Sequence, residues 1–256
     1  MSGTMILHAG AEKVTEQQVR AVKPPKPEGR WLPVGYGEIL DRVYDNLGPM
    51  KLKIRDKQFA LSPDQGRFFG LMDVKGRFGN TSTDHEGVGM VIGVRGSMDK
   101  SVSQAIALGS RVFVCDNLAI SGEVVLKTKH TINMLKRLPG MVADAMGKMP
   151  EFLKHQNALY DDWREIDIED PEVVHDTLVL AMKEGVIAPT RIPHVLAEWE
   201  APTTKAFEGD RTVWGLYNAF TADARRSFGI NPFTAAKQTM GLTGLFSRRF
   251  APENLN

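Results

Sequence analysis

A single cysteine, Cys115, is the scarcest feature of this 256-residue chain. It excludes an intrachain disulfide and any zinc site built on several cysteines, and it fits a reducing cytoplasm. No apolar run reaches the ~18 residues that a membrane-spanning helix needs, and no basic-then-apolar leader opens the chain. Net charge is nearly absent as well, with 32 basic against 31 acidic side chains. The sequence holds no Gly-x-x-x-x-Gly-Lys-Ser/Thr loop, no Gly-x-Gly-x-x-Gly turn after a strand, no Gly-x-Ser-x-Gly elbow and no His-Glu-x-x-His helix. Those absences lower the expectation of a nucleotide hydrolase, a serine hydrolase or a zinc enzyme. They leave open a metal-dependent nuclease, whose carboxylates need not be close in sequence.

What is present suits a sizeable core, since 42% of residues are hydrophobic and 25% charged. The charge is uneven. Residues 1–130 carry 18 basic and 14 acidic side chains, and residues 131–256 carry 14 and 17. Secondary-structure signals divide at the same point. The first half reads as strands, and after Thr131 helical spacing dominates. The expectation is an α+β protein with an antiparallel, sheet-rich N-terminal half packed on a helical C-terminal half. Residues 1–30 read as an extended or flexible arm, because Pro24, Pro25 and Pro27 bar a helix there. Residues 31–131 form the β-rich region, and 132–256 the helical region, continuous with it as one domain.

Tyr36, Ile39, Leu40, Val43 and Leu47 mark a helix over Gly37–Leu47, stopped by Gly48-Pro49. Met50–Leu61 then alternates. At period two, Lys51, Lys53, Arg55 and Lys57 share one strand face, a strip that suits a phosphate backbone. Solvated charge on an edge strand, which also blocks aberrant pairing, accounts for the pattern equally well. Ser62–Gly66 is a turn, and Arg67–Val74 completes a hairpin. Lys75–Gly87 reads as a flexible loop, with Asp84-His85-Glu86 as a hydrophilic tip rather than a metal site.

The stretch Gly93–His130 concentrates the β signal. It reads as a buried strand over Val88–Val94, a short helix over Lys100–Leu108 capped by Ser97 or Asp99, a glycine stop, and a strand over Arg111–Cys115. The Asp116-Asn117 turn follows, and the last strand, Val124–His130, carries Lys127 and Lys129 on one face. Cys115 reads as a buried, inert thiol. Asp116, Asn117 and His130 form a possible polar site. An Asp–His contact there is an acid/base device or a satisfied histidine, and no third partner is visible. Further along, Pro139-Gly140 predicts a kink or break in the helix over 132–149. Pro150 and Asp170-Pro171 open the next two helices, a short helix sits near His194–Trp199, another spans Thr212–Phe228, and the tail after Asn231 is a helix or a wrapping segment.

Ser97, Asp99, Ala105, Gly109, Arg111, Phe113, Val114, Cys115, Asn117, Gly122, Lys129, His130 and Thr131 together resemble the central motif of the phage/plasmid-like family catalogued as domain of unknown function 932. Trp31 with Pro33, and Thr212–Ala219 with Thr221, extend the resemblance over most of the chain. The pattern departs from the family at Val94–Asp99 and at Leu118. The resemblance implies a phage or mobile-element origin, hence a host cytoplasm, and supplies no mechanism.

Joined to the basic stripes, that context gives the leading expectation: a non-catalytic protein that binds or anneals single-stranded DNA and self-associates. Lys51, Lys53, Arg55, Lys57, Lys127 and Lys129 would hold phosphates, and Phe59, Phe68 or Phe69 would support bases. No catalytic residue, metal ligand or cofactor is assigned. One alternative is a protein-interaction factor, a host-defence inhibitor or assembly protein, that uses the acidic helical half around Asp161–Glu172. A third is a metal-dependent nuclease built on Asp84, Glu86, Asp116 and His130.

Overall fold

The computed structural model describes residues 12–101, 103–112, 117–119, 124–128, 132–228 and 232–251. The division between a strand-rich front and a helical back holds, and the architecture is α+β. The strands are β1 (Glu12–Val14), β2 (Lys53–Leu61), β3 (Arg67–Lys75), β4 (Arg77–Phe78), β5 (Thr81–Ser82), β6 (Asp84–His85), β7 (Val88–Ser97), β8 (Gln104–Val112), β9 (Asn117–Ala119) and β10 (Val124–Thr128). The main sheet runs β1-β2-β3-β7-β8-β10, with β6 added beside β7 and β9 beside β8. Every pairing is antiparallel.

The helices are α1 (Glu16–Ala21), α2 (Tyr36–Leu47), α3 (Ile132–Gly147), α4 (Met149–Glu165), α5 (Pro171–Lys183), α6 (Ile192–Glu200), α7 (Val213–Phe228) and α8 (Pro232–Arg249). Helices α2, α3 and the start of α4 pack on one face of the sheet. Alternation along the strands sends Phe59, Leu61, Phe68, Met72, Val74, Met90, Ile92, Val94, Ile106 and Leu108 to that face. There they share a core with Ile39, Leu40 and Val43 of α2 and with Leu138, Val142 and Met146 of α3. Full burial of each such aliphatic side chain is worth roughly 1.5–3 kcal/mol. A second core is helical and aromatic. Trp163, Trp214, Tyr217, Phe220 and Phe246 pack ring against ring, with Val88 contributed from the sheet. Helix α4 serves both cores: Met149 and Leu153 belong to the first, Tyr160 and Trp163 to the second.

Several local expectations are met for the reasons given. Asp170 caps α5 by accepting from the Glu172 amide at 2.9 Å, with Pro171 in the first turn. Gln65, at φ +57°, turns the β2–β3 hairpin, and Asp64 Oδ1 accepts from the Gly66 amide at 3.0 Å.

Others are corrected. Residues 12–21 are not an extended arm. β1 pairs along β2, and α1 is closed by a capping box between Thr15 and Gln18 that buries Val19. The proline-bearing stretch 22–27 is irregular. Where a helix is predicted over Lys100–Leu108, Gln104–Leu108 belong to strand β8 instead. Gln104, Ile106, Leu108 and Ser110 alternate with Ala105, Ala107 and Gly109, and eight consecutive registers tie β8 to β7. Period two prevails there because a neighbouring strand satisfies its backbone. Ser97 accordingly ends β7 rather than capping a helix. Helix α3 runs unbroken through Pro139, whose ring lies on the exposed side. The loop predicted over Lys75–Gly87 is built of β4, β5 and β6, and Thr83, 1% exposed, pins it to Gly76.

Candidate nucleic-acid interface

Because cross-strand partners point the same way, the register sorts the sheet's second face into rows. One end row is Lys13, Ala60, Phe69, Arg95 and Ala105, with Lys127 at the next register position. Gln58, Leu71, Gly93 and Ala107 follow, then Asp56, Asp73, Val91 and Gly109. Lys53 and Lys75 pair at the far end, where Arg111 stands opposite Gly89. Phe69, Leu71 and Val91 form a small cluster that includes no helical residue.

A bulge in β2 breaks the predicted four-lysine strip. Ile54 pairs Val74 and Asp56 pairs Asp73, so Arg55 is an extra residue and the alternation reverses across it. Lys53 and Arg55 stay on the helix-free face. Lys57 shares its register with Met72 and turns to the helix side. There it bonds Glu16 and lies 5.5 Å over the Tyr44 ring. Burial pushes the Glu16 carboxyl up, but the bonds from Lys57, Arg20 and Tyr44 outweigh it and hold the carboxyl below its ordinary value. Lys51 precedes the strand in a left-handed turn at φ +56°. The predicted aromatic supports divide too. Phe59 and Phe68 stack on each other in the core, 2% and 1% exposed, where no base reaches them. Phe69 alone faces the other way.

The cations of the helix-free face are in different states. Arg55 bonds Asp84 and approaches Asp73 to 3.9 Å. Arg111 meets the same Asp73 carboxylate at 2.6 Å. Burial pushes the Asp73 carboxyl above its ordinary value, against the pull of Arg111 and Arg55. Burial also holds the Arg95 guanidinium below its ordinary value. Lys13, Lys53 and Lys75 are exposed.

Lys127 and Asn117 are placed through their backbones, at positions opposite Ala105 and Val112. Lys129, Asp116, His130 and Cys115 lie outside the described residues, and with them the proposed Asp116–His130 contact. Asp84 is engaged by Arg55, and His85 Nε2 lies 2.7 Å from Asp161 Oδ2 on α4. The Glu86 carbonyl accepts from Arg164. This tripeptide therefore fastens the sheet to α4. Among the described residues no group of three or more His, Cys, Asp or Glu is placed to hold a metal ion. No helix among them is long and apolar enough to cross a membrane.

Lys13, Lys75, Arg95 and Arg111 were not among the sequence candidates. Period two was legible in Val91-Gly93-Arg95 and in Ala105-Ala107-Gly109-Arg111, but the helical assignment of 100–108 hid the second of these.

Comparisons with protein-family models, with curated proteins and with solved structures each returned no match. The class is thus an α+β protein in which, among the described residues, helices pack on one face of the sheet and none on the other, and the family resemblance stands on the residues quoted for it alone.

Proposed function

We propose that this chain binds single-stranded DNA on the helix-free sheet face, without covalent chemistry. The observation that carries the reading is the distribution of charge on that face. Cations occupy both end rows, Lys13 and Arg95 at one and Lys53, Lys75, Arg55 and Arg111 at the other. The strand carboxylates Asp56 and Asp73 lie between them. Arg95 and Gly89 are six residues apart on β7, so the rows are about 20 Å apart at ~3.3 Å per residue. The middle of the face is closed, with Gln58, Asp73 and Val91 only 5%, 3% and 0% exposed, so a flexible single strand would be held by its phosphates at the exposed cations of the end rows. Phe69 and Leu71 are only 8% and 9% exposed, which makes the interface a phosphate-holding one rather than a stacking platform. The resemblance to a phage/plasmid-like family supplies a context in which such binding, and self-association along a strand, is useful.

Fluorescence anisotropy of labelled oligothymidylate tests this. Binding should be present at low salt, fall steeply as salt rises, and weaken at least tenfold in Lys53→Glu/Lys75→Glu. Sedimentation in the same buffers reports self-association. Absence of binding at low salt, or affinity indifferent to both salt and the double substitution, overturns the proposal.

A further inference from the structure

Away from the sheet, the second core leaves a groove open between α5 and α6, about 610 Å³ in volume. Val174 and Leu178 line it from successive turns of α5, and Ile192, Leu196 and Trp199 from successive turns of α6, over Ile168. Each helix thus offers an i, i+4 stripe to the same slot, the arrangement that accepts the apolar face of a third helix. Leu196 is 36% exposed, the one large hydrophobic side chain among the described residues left so open. Val174, Leu178 and Trp199 beside it are 5%, 5% and 9% exposed. The slot therefore has a packed floor and an unpaired apolar lip.

The rim is acidic. Glu169 and Glu200 line the groove, and Asp170, Glu172 and Asp176 lie exposed on the adjoining surface of α5. The basic group inside is already committed: the Arg211 guanidinium lies 4.9 Å over the Trp199 ring and donates to the Trp199 carbonyl at 2.9 Å. His175 also lines the groove and sits 3.3 Å from Asp176.

We infer that the α5–α6 groove docks an amphipathic helix of a partner protein, with an apolar stripe seated against Leu196 and Trp199 and lysines or arginines facing Glu169 and Glu200. Charge complementarity selects this occupant over an acidic helix, and the paired helical stripes select a helix over an extended segment. The inference is independent of the sheet-face reading, since no residue of that face enters the groove.

The test uses the full chain and two synthetic 18-residue peptides with the same leucine stripe, one with lysines at the other positions and one with glutamates. Binding is read by anisotropy of the labelled peptide and by the emission of the tryptophans. The lysine peptide should bind saturably and the glutamate peptide at least tenfold more weakly. Leu196→Asp should weaken the lysine peptide at least tenfold, and Glu169→Lys/Glu200→Lys at least threefold, with far-ultraviolet circular dichroism unchanged because these side chains are exposed. Equal binding of the two peptides, or binding unaffected by both variants, overturns the inference. So does a wild-type dimer that Leu196→Asp converts to monomer, which would assign the groove to a second copy of the chain.

Discussion

The Ser110 hydroxyl of β8 lies 2.8 Å from the Tyr160 phenol of α4, and the Gln156 side-chain amide donates to the same phenol at 3.1 Å. All three side chains are buried. This contact joins the sheet to the aromatic core at the point where α4 passes from one core to the other. Tyr160→Phe keeps the ring but leaves Ser110 and Gln156 without this partner. Chemical denaturation should show a loss of about 1–3 kcal/mol, and Ser110→Ala/Tyr160→Phe should cost less than the two single changes added together. Additive losses would show that the pair is not coupled.

The bulge at Arg55 separates two lysines that the sequence places together. Lys57→Glu sets a like charge against Glu16 and should lower the thermal midpoint by several degrees as α1 loosens. Lys53→Glu, on an exposed position of the other face, should leave the midpoint within about a degree and weaken oligothymidylate binding instead. The reverse pattern would place the bulge wrongly.

Gly96 on β7 leaves no room for a side chain, because an added Cβ would stand 1.9 Å from the Gln104 Oε1 atom on β8. Gly96→Ala should cost about 1–3 kcal/mol by overpacking. Gly96→Ala/Gln104→Ala should recover part of that, since the clash is with the amide. Urea denaturation of both variants decides it, and a neutral Gly96→Ala would contradict the packing described.

Burial pushes the Asp99 carboxyl up, but hydrogen bonds from the Ser101 hydroxyl and backbone, Arg67 and Ser97 prevail and hold it at about 2. A folded-state value below the unfolded one, ordinarily near 3.8, means that its stabilisation is complete above the unfolded value. That stabilisation is lost as pH falls from about 4 through about 2. Asp99→Asn should therefore flatten the acid side of the stability profile in that window and leave its slope between pH 6 and 8 unchanged. An identical acid limb in the variant would remove Asp99 from the account.

Helices α2 and α5 were legible because their apolar spacing and their boundary signals agree. Gly48-Pro49 and Asp170-Pro171 bound α2 and α5 through local chemistry that no tertiary contact needs to supply. The strand β8 was not legible as strand from end to end. Ala105, Ala107 and Gly109 carry little β preference, and what makes them strand is the pairing of all three with β7, joined on the other side by β10 at Ala105 and Ala107. The bulge was likewise out of reach, because an extra residue shows only in the partner's register. Arg95 as a site residue depended on both assignments. The acidic run near Asp161 was visible, but the role of Asp161, with Arg164, in fastening α4 to His85 and Glu86 at the sheet's end is a fact of packing.

The order of the sheet has a consequence for biosynthesis. Its long strands pair with neighbours that leave the ribosome in succession, so the sheet can zip up before any of α3–α8 has been made. During that interval its core face, with Met72, Met90, Ile92 and Leu108, is sheltered by little more than α2. A chain arrested after Thr128 should therefore be captured by chaperones or precipitate, and solubility should return once synthesis extends through α3. The helical half acts toward the sheet as a lid delivered last, and the interval before it arrives is when this protein is most open to misassembly.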